Sequence, residues 1–376
     1  MNLLFACYDY FPHGGQQRNC LKIAQKCAAA EHNVTICTRT WEGNKPEGIK
    51  IESLGSKGWS NADRNQNFIN GMTQLVAERK FDGVIAFKKM PGLDVYFASD
   101  PCFEAKFRSN KKWLGRLTRR YRLYRRWEEA VFAKGQRTQI LLITDREVPL
   151  YQEIYGTELE RFHLLPPNID RRSFSDCDRE SARMAKRKEL GLAAEATLLL
   201  MVGSGFRTKG VDRAIEGLAP LNSPGGSQAH LVVVGHGKAE SYARLAKSLG
   251  VSDRVHFLGS RTDVLEWMLA ADLLVHPART ENTGTVLLEA MVSGLPLLVS
   301  DVCGYAFHIE KAEAGCLVPS PFTQERFNRL LQETVHSPNL AQWRANGLRY
   351  AATEDLYSCH EKACGLIEKF IAEKSR

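Results

Sequence analysis

No stretch of this 376-residue chain approaches the roughly 18 consecutive apolar residues of a membrane-spanning helix. The opening MNLLFACYDYFP has no basic leader, and its apolar run is too short for a signal peptide. Any meeting with a membrane is therefore expected from the surface. The ten cysteines include no CxxC pair, so neither a disulfide framework nor a zinc site is expected. Reduced thiols in a cytosol fit better. GxSxG is missing, and so is the GxxxxGK[ST] phosphate loop. The only D-x-D, at Asp176 and Asp178, sits in a polar, Arg-rich linker, and no metal is expected there.

What remains is an ordinary globular composition, 44% hydrophobic and 25% charged, with a net charge of +8. Most of that charge, +7, falls in residues 1–170. Strand-like runs alternate with helical spacing. NLLFACYDYF precedes QRNCLKIAQKCAAAE, and HNVTICTR, FDGVIAF and TQILLIT follow as further buried strands. The pattern restarts at ATLLLMVG and continues through HLVVVG, RVHFLGS, DLLVHP and LPLLVS, with helices between. Such alternation predicts an α/β protein with two parallel sheets covered on both faces. The expected division is 1–168, 169–352 and a last helical segment, 353–376, crossing back to the first domain.

Three glycine turns follow predicted strands. FPHGGQQR holds Gly14 and Gly15, which let a ligand approach the backbone at a helix start. VGSGFRTKGVDR carries Gly203 and the cations Arg207 and Lys209, a candidate diphosphate site. VVVGHGKAE lacks the third glycine of a dinucleotide fingerprint. Later, HPARTENTGTVLLEAMVSGLP holds Glu281 and Glu289 eight places apart, the second within an apolar helix. A carboxylate there needs a partner, either a cation or a ligand's hydroxyls.

Lys209-Gly210, the E-x7-E pair and Gly294-Leu-Pro296 together resemble the nucleotide-sugar half of retaining glycosyltransferases of family 4. YDYFPHGGQQR, WEGNKPEG and FKKMPGLDVYFASDPCF are similar to the lipopolysaccharide core α-1,3-glucosyltransferase family. The resemblance implies a GT-B fold, two doubly wound Rossmann-like domains facing across a cleft. It implies transfer of glucose from UDP-glucose to heptose I of the lipopolysaccharide inner core, without metal or other cofactor. By that likeness Asp100, Glu281, Lys209 and Arg207 are the catalytic candidates. Gly14, Gly15, Arg172, Gly203, Arg261, Thr283, Gly284, Thr285 and Glu289 are the donor-binding ones. Two positions depart from the family: Asn19 stands where relatives commonly carry Asp, and Thr208 where they commonly carry Arg.

Residues 106–126 hold ten Lys/Arg and no acid. Trp113, Leu117, Tyr121, Tyr124 and Trp127 recur at helical spacing. A basic helix with an aromatic stripe predicts an anchor at an anionic inner-leaflet surface, through Lys111, Lys112, Trp113, Arg116, Arg119, Arg120, Arg122, Arg125 and Arg126. The competing expectation is that the stripe packs on its own domain and the cations are solvated. Nucleic acid is not an expected partner, because no RNA-binding motif accompanies the charge. The resulting expectation is a cytoplasmic enzyme, peripheral at the cytoplasmic face of the inner membrane. The alternatives are a related enzyme using another UDP-hexose or UDP-N-acetylhexosamine, and a non-enzymatic binder of membranes or polyanions.

Overall fold

The computed structural model describes residues 1–12, 14–55, 57–109, 113–170, 178–222 and 229–374. The chain divides into two compact units, residues 1–166 with 358–376 and residues 167–357. The second unit runs past the 352 expected as its end, because Leu356 is fully buried in that unit's core and its carbonyl accepts from Ile169 N.

The first unit is built on a seven-stranded parallel sheet. Across it the order is Ile49–Ser53, Asn33–Thr38, Asn2–Ala6, Gly83–Ala86, Val95–Ala98, Gln139–Leu142 and Phe162–Leu164. The central strands are apolar at nearly every position because both faces are covered. Burying each large aliphatic or aromatic side chain contributes about 1.5–3 kcal/mol. Helix Gly15–Ala29 covers one face, joined by the last helix, Cys359–Lys374. These two meet through Lys26–Glu361 and the thiols of Cys27 and Cys364, and His32, just past the first helix, adds a contact to Glu368. Helix Asn61–Glu78 lies on the other face. It starts at a capping box in which Ser60 and Asp63 satisfy each other's backbone amides.

The second unit has a six-stranded parallel sheet, in the order Val255–Gly259, Ala229–Val234, Thr197–Val202, Leu273–His276, Leu297–Ser300 and Gly315–Val318. The order reverses between Thr197–Val202 and Leu273–His276. At such a switch point the loops leaving the two strands part, and a crevice opens beyond their carboxyl ends. Those loops carry Lys209 and Glu281. Asp178 caps the helix Arg179–Leu190 by accepting from Ser181 N, so half of the D-x-D has a structural role; Asp176 lies outside the described residues.

The basic segment differs from its prediction. It is not one helix but a helix Phe103–Ser109, a 3-10 turn Trp113–Leu117 and a helix Arg119–Phe132. Thr118 separates the last two, its hydroxyl capping Tyr121 N. Tyr121 and Trp127 face the core, 5% and 4% exposed. Tyr121 lies 4.4 Å from the Phe107 ring, and Tyr124 lies 4.9 Å from Trp127. The aromatic stripe is thus domain packing rather than a bilayer face, with only Leu117 left exposed among its described side chains. The Trp113 side chain, Lys111 and Lys112 lie outside the described residues. Arg116, Arg119, Arg120, Arg122, Arg125 and Arg126 are all exposed. Arg116, Arg119 and Arg125 reach Glu104, Asp63 and Glu129.

Candidate active site

The loop after Thr197–Val202 turns on glycines. Gly203 has φ +142, and a Cβ there would sit 3.1 Å from the Lys209 Cε. The Lys209 side chain therefore lies along the bare glycine. A single turn, Phe206–Lys209, ends at Gly210 with φ +75, and a Cβ at Gly210 would come within 2.1 Å of the Pro277 carbonyl oxygen. That close approach ties the turn to the strand end carrying His276. Arg279 completes the tie: its amide donates to the Thr208 carbonyl at 2.8 Å, and its guanidinium grips Asp212 at 2.8 and 2.6 Å.

Residues 281–283 are fixed by a second strand end. Glu281 forms an isolated parallel bridge with Cys303, and Tyr305 N donates to the Thr283 carbonyl at 2.8 Å. Gly304 permits this, since a Cβ there would be 1.9 Å from the Asn282 carbonyl oxygen. Gly284, at φ +84, then starts the helix Thr285–Val292. Its bare Cα leaves room for the Glu281 side chain, whose Cγ would be 3.2 Å from any Cβ at 284.

These constraints bring Lys209 and Glu281 into an ion pair, with His276 Nε2 3.4 Å from the same Glu281 oxygen. Both acid and lysine are largely enclosed, 14% and 19% exposed at the side chain. Burial alone would raise the Glu281 carboxyl, but His276 and Lys209 outweigh it and hold the group down at about 2. Burial pushes the His276 imidazole below its ordinary range, so the ring is neutral at neutral pH. Neither ring nitrogen has a hydrogen-bond partner among the described residues, so at 3.4 Å the ring acts on Glu281 by proximity rather than through a formed hydrogen bond. The result is an ionised acid and an ammonium, pre-oriented at the switch point.

The other second-unit candidates are placed differently. Arg207 is exposed and makes no ion pair among the described residues; its carbonyl accepts from Arg279. Glu289 is half-buried on the Thr285–Val292 helix, so its charge carries less of a burial penalty than the apolar run around it suggested. The Arg261 guanidinium is committed to Asp263 at 2.8 and 2.7 Å and to Glu189 at 3.1 Å. Thr283 and Thr285 are half-buried beside Gly284. Arg172 lies outside the described residues. Among the described residues no group of three or more His, Cys, Asp or Glu has the placement to hold a metal ion.

In the first unit, Gly14 precedes the Gly15–Ala29 helix in an extended conformation, φ −80 and ψ 128. A Cβ on Gly15 would meet nothing within 4 Å, so packing does not demand glycine there. Asp100 follows the strand Val95–Ala98 and is paired with Lys88 at 2.8 and 3.0 Å. Asn19 turns away from the loop: its side-chain oxygen accepts from His360 Nε2 at 2.9 Å, between the first and last helices.

Sequence reading missed His276, Lys88 and the 303–305 clamp. His276 stood in plain view between a strand and Pro277, but a lone histidine at a strand end carries no spacing signal. The clamp is a contact between segments about 20 residues apart, which only the sheet order brings together.

A family model described as glycosyl transferases group 1 matches residues 182–349. The chain is 42% identical over 369 residues to the lipopolysaccharide glucosyltransferase WaaG of Escherichia coli (strain K12), with 98% of each chain covered. It is 25% identical over 347 residues to a D-inositol 3-phosphate glycosyltransferase of Jonesia denitrificans, covering 81% of this chain and 79% of that one. Among solved structures, the crystal structure of WaaG, a glycosyltransferase involved in lipopolysaccharide biosynthesis, superposes with a TM-score of 0.87 at 42% identity, covering 97% and 99% of the two chains. Anabaena HepE in complex with UDP superposes with a TM-score of 0.73 at 18% identity, covering 98% and 100%, a likeness of fold alone.

Proposed function

The chain belongs to the group 1 glycosyl transferases, and on that premise we propose that it transfers glucose from UDP-glucose to heptose I of the lipopolysaccharide inner core, with retention of configuration. The observation that carries this reading is the Lys209–Glu281 pair with His276 at the second sheet's switch point. The full-length likeness to a lipopolysaccharide glucosyltransferase supports the choice of sugar and acceptor.

In this mechanism the diphosphate lies against the first amides of the Thr285–Val292 helix, whose dipole favours it by roughly 0.3–1 kcal/mol. Lys209, exchanging Glu281 for phosphate oxygen, neutralises the charge that grows as UDP leaves. Arg207 adds to that field from the same turn. Gly203 lets the phosphates approach the backbone. Glu281, released from Lys209 and lying beside His276, accepts hydrogen bonds from the donor sugar's hydroxyls. Glu289 takes the ribose diol through charge-assisted bonds, and Thr283 and Thr285 line the turn. The backbone at Arg261 reads the uracil. Positive charge from lysine and amides serves where a divalent ion would otherwise be needed. Asp100 orients the acceptor hydroxyl, and the departing phosphate takes its proton during front-face attack. The exposed cations at 116–126 give a peripheral hold on an anionic leaflet, about 1 kcal/mol for each one close to the surface.

The test is purified protein with truncated core lipid and a panel of UDP-sugars, with product linkage and anomeric configuration read by NMR. An α-glucosyl product formed only from UDP-glucose is expected. Transfer from UDP-galactose or a UDP-N-acetylhexosamine instead would replace the donor. A covalent glycosyl-enzyme trapped on Asp100 or Glu281 would overturn the front-face route. Salt-sensitive cosedimentation with anionic but not neutral vesicles is expected, and its absence would remove the membrane role.

A further inference from the structure

The first sheet has a switch point of its own, between Asn2–Ala6 and Gly83–Ala86. Two adjoining cavities of about 380 and 300 Å³ lie beyond those strand ends. Tyr8, Asn65, Lys88 and Tyr124 line both. Arg39 and Arg64 line the larger, and Asp100 and Lys106 the smaller. Cations outnumber acids on these walls, and the aromatic rings offer flat apolar faces of the kind that cover one side of a sugar.

Among the described residues, two groups in this crevice lack a counterpart. Arg39 is matched by Asp9 and by Asn65, at 3.1 and 2.7 Å, and Lys88 by Asp100. Arg64 has no carboxylate among the described residues; its Nε donates only to the Gly58 carbonyl, at 3.2 Å. Tyr8 is 8% exposed, and its hydroxyl has no hydrogen-bond partner among the described residues. A buried hydroxyl left without a partner costs about 1–3 kcal/mol. A guanidinium without a carboxylate and an unsatisfied O–H lining the same cavity call for the same thing, an anion rich in acceptor lone pairs. Guanidinium suits the two parallel acceptors of a carboxylate or phosphate.

We propose that this crevice recognises an acidic substituent of the acceptor, a carboxylate or phosphate bound by Arg64 and the Tyr8 hydroxyl, while the reacting sugar occupies the cavity beside Asp100. The inference rests on the reading of the chain as a transferase acting on a lipopolysaccharide core, and it adds that the enzyme selects its acceptor by charge. Discrimination is expected in such a site, because a neutral analogue leaves the half-buried Arg64 guanidinium and the buried Tyr8 hydroxyl unpaired.

Three acceptors separate the sources of the anion: truncated core lipid untreated, with its carboxyls reduced to alcohols, and after phosphatase treatment. For the wild type, one neutralised acceptor is expected to show an acceptor KM raised tenfold or more with the UDP-glucose KM unchanged. Arg64→Gln and Tyr8→Phe are expected to raise KM on the untreated acceptor and to lose the discrimination. Tyr8→Phe removes no hydrogen bond of the fold and relieves an unpartnered buried hydroxyl, so its unfolding midpoint should equal or exceed that of the wild type. Equal KM on all three acceptors, or variants that keep the wild-type discrimination, overturns the inference and leaves the proposed function standing. No glucose transfer to any of the three overturns both.

Discussion

Replacing Asn19 with Asp should change how this protein responds to acid. Asn19 Oδ1 accepts from His360 Nε2 at 2.9 Å, and both side chains are buried between the helices Gly15–Ala29 and Cys359–Lys374. Burial lowers the His360 imidazole from 6.5 to about 4, with Lys22 and Lys26 adding to the effect. A histidine depressed in the native state leaves stability intact above pH 6.5. That stability drains away as pH falls toward 4, because the unfolded chain binds the proton first. The drop from 6.5 to about 4 is worth about 3 kcal/mol at pH 4, on the scale of 1.36 kcal/mol per pH unit. A carboxylate at position 19 would sit against the ring and favour its charged form, recovering an upward shift of roughly 1–3 pH units. The acid-side loss should then shrink by about 1–3 kcal/mol between pH 6.5 and 4, while at pH 8, where the ring is neutral, the buried carboxylate should lower stability. The assay is urea unfolding from pH 4 to 8, followed by fluorescence, on the wild type, Asn19→Asp and His360→Gln. His360→Gln should flatten the same window. Parallel pH profiles for the wild type and Asn19→Asp would refute the reasoning.

The donor side offers sharper tests of catalysis. Lys209→Met strips Glu281 of its cation and should cost roughly 10²–10³ in kcat. Its stability loss should stay below the roughly 3–5 kcal/mol of a fully buried pair, since both side chains keep some exposure; a kcat within threefold of wild type would rule out the assigned role. His276→Asn removes one of the two groups holding the Glu281 carboxyl near 2. The acid limb of kcat/KM should therefore move to higher pH, and a limb left in place with only a lower unfolding midpoint would reduce His276 to packing. Gly210→Ala carries a left-handed backbone penalty of roughly 1–2 kcal/mol, plus roughly 1–3 kcal/mol for forcing a Cβ toward the Pro277 carbonyl. Gly205→Ala, at φ +77 with open space around it, carries only the first; equal destabilisation in urea would refute the clash.

Alternation of apolar runs with helical spacing was enough to place both sheets, because buried parallel strands read as continuous Leu/Val/Ile. Weaker strands escaped. Ile49–Ser53 carries Lys50 and Glu52, and Gly315–Val318 is a short edge strand. Val95–Ala98 is fully buried but only four residues long, too short to separate from a loop by period alone. The proposed donor loop was legible for a different reason. Lys209, Gly210, Glu281 and Gly284 are local punctuation whose spacing survives without the fold. Their partners were not legible: His276, Cys303 and Gly304 matter only because two strand ends stand side by side at the switch point.

The basic segment marks where amphipathic pattern stops being informative. Period alone says that Tyr121, Tyr124 and Trp127 share a face, and it says the same whether that face meets lipid or protein. The deciding residues are acids that lie outside the stripe. Glu104 is buried and accepts from Tyr121 Oη at 2.6 Å, while Glu128, fully buried, accepts from the amides of Phe103 and Glu104 and from Tyr155 Oη. A buried carboxylate demands several donors at fixed positions, and here they come from the Phe103–Ser109 helix, from Tyr121, from Tyr155 and from Lys89. Glu104 thereby ties Tyr121 inward, while Tyr124 accepts from Asn65 at 3.3 Å and Trp127 donates to Gln66 at 3.3 Å, both on the Asn61–Glu78 helix. The cations between them are left exposed by geometry, on the opposite side of the Arg119–Phe132 helix from its core face. Any hold on an anionic surface therefore rests on charge. It should weaken with salt far more steeply than a hold based on buried aromatic area.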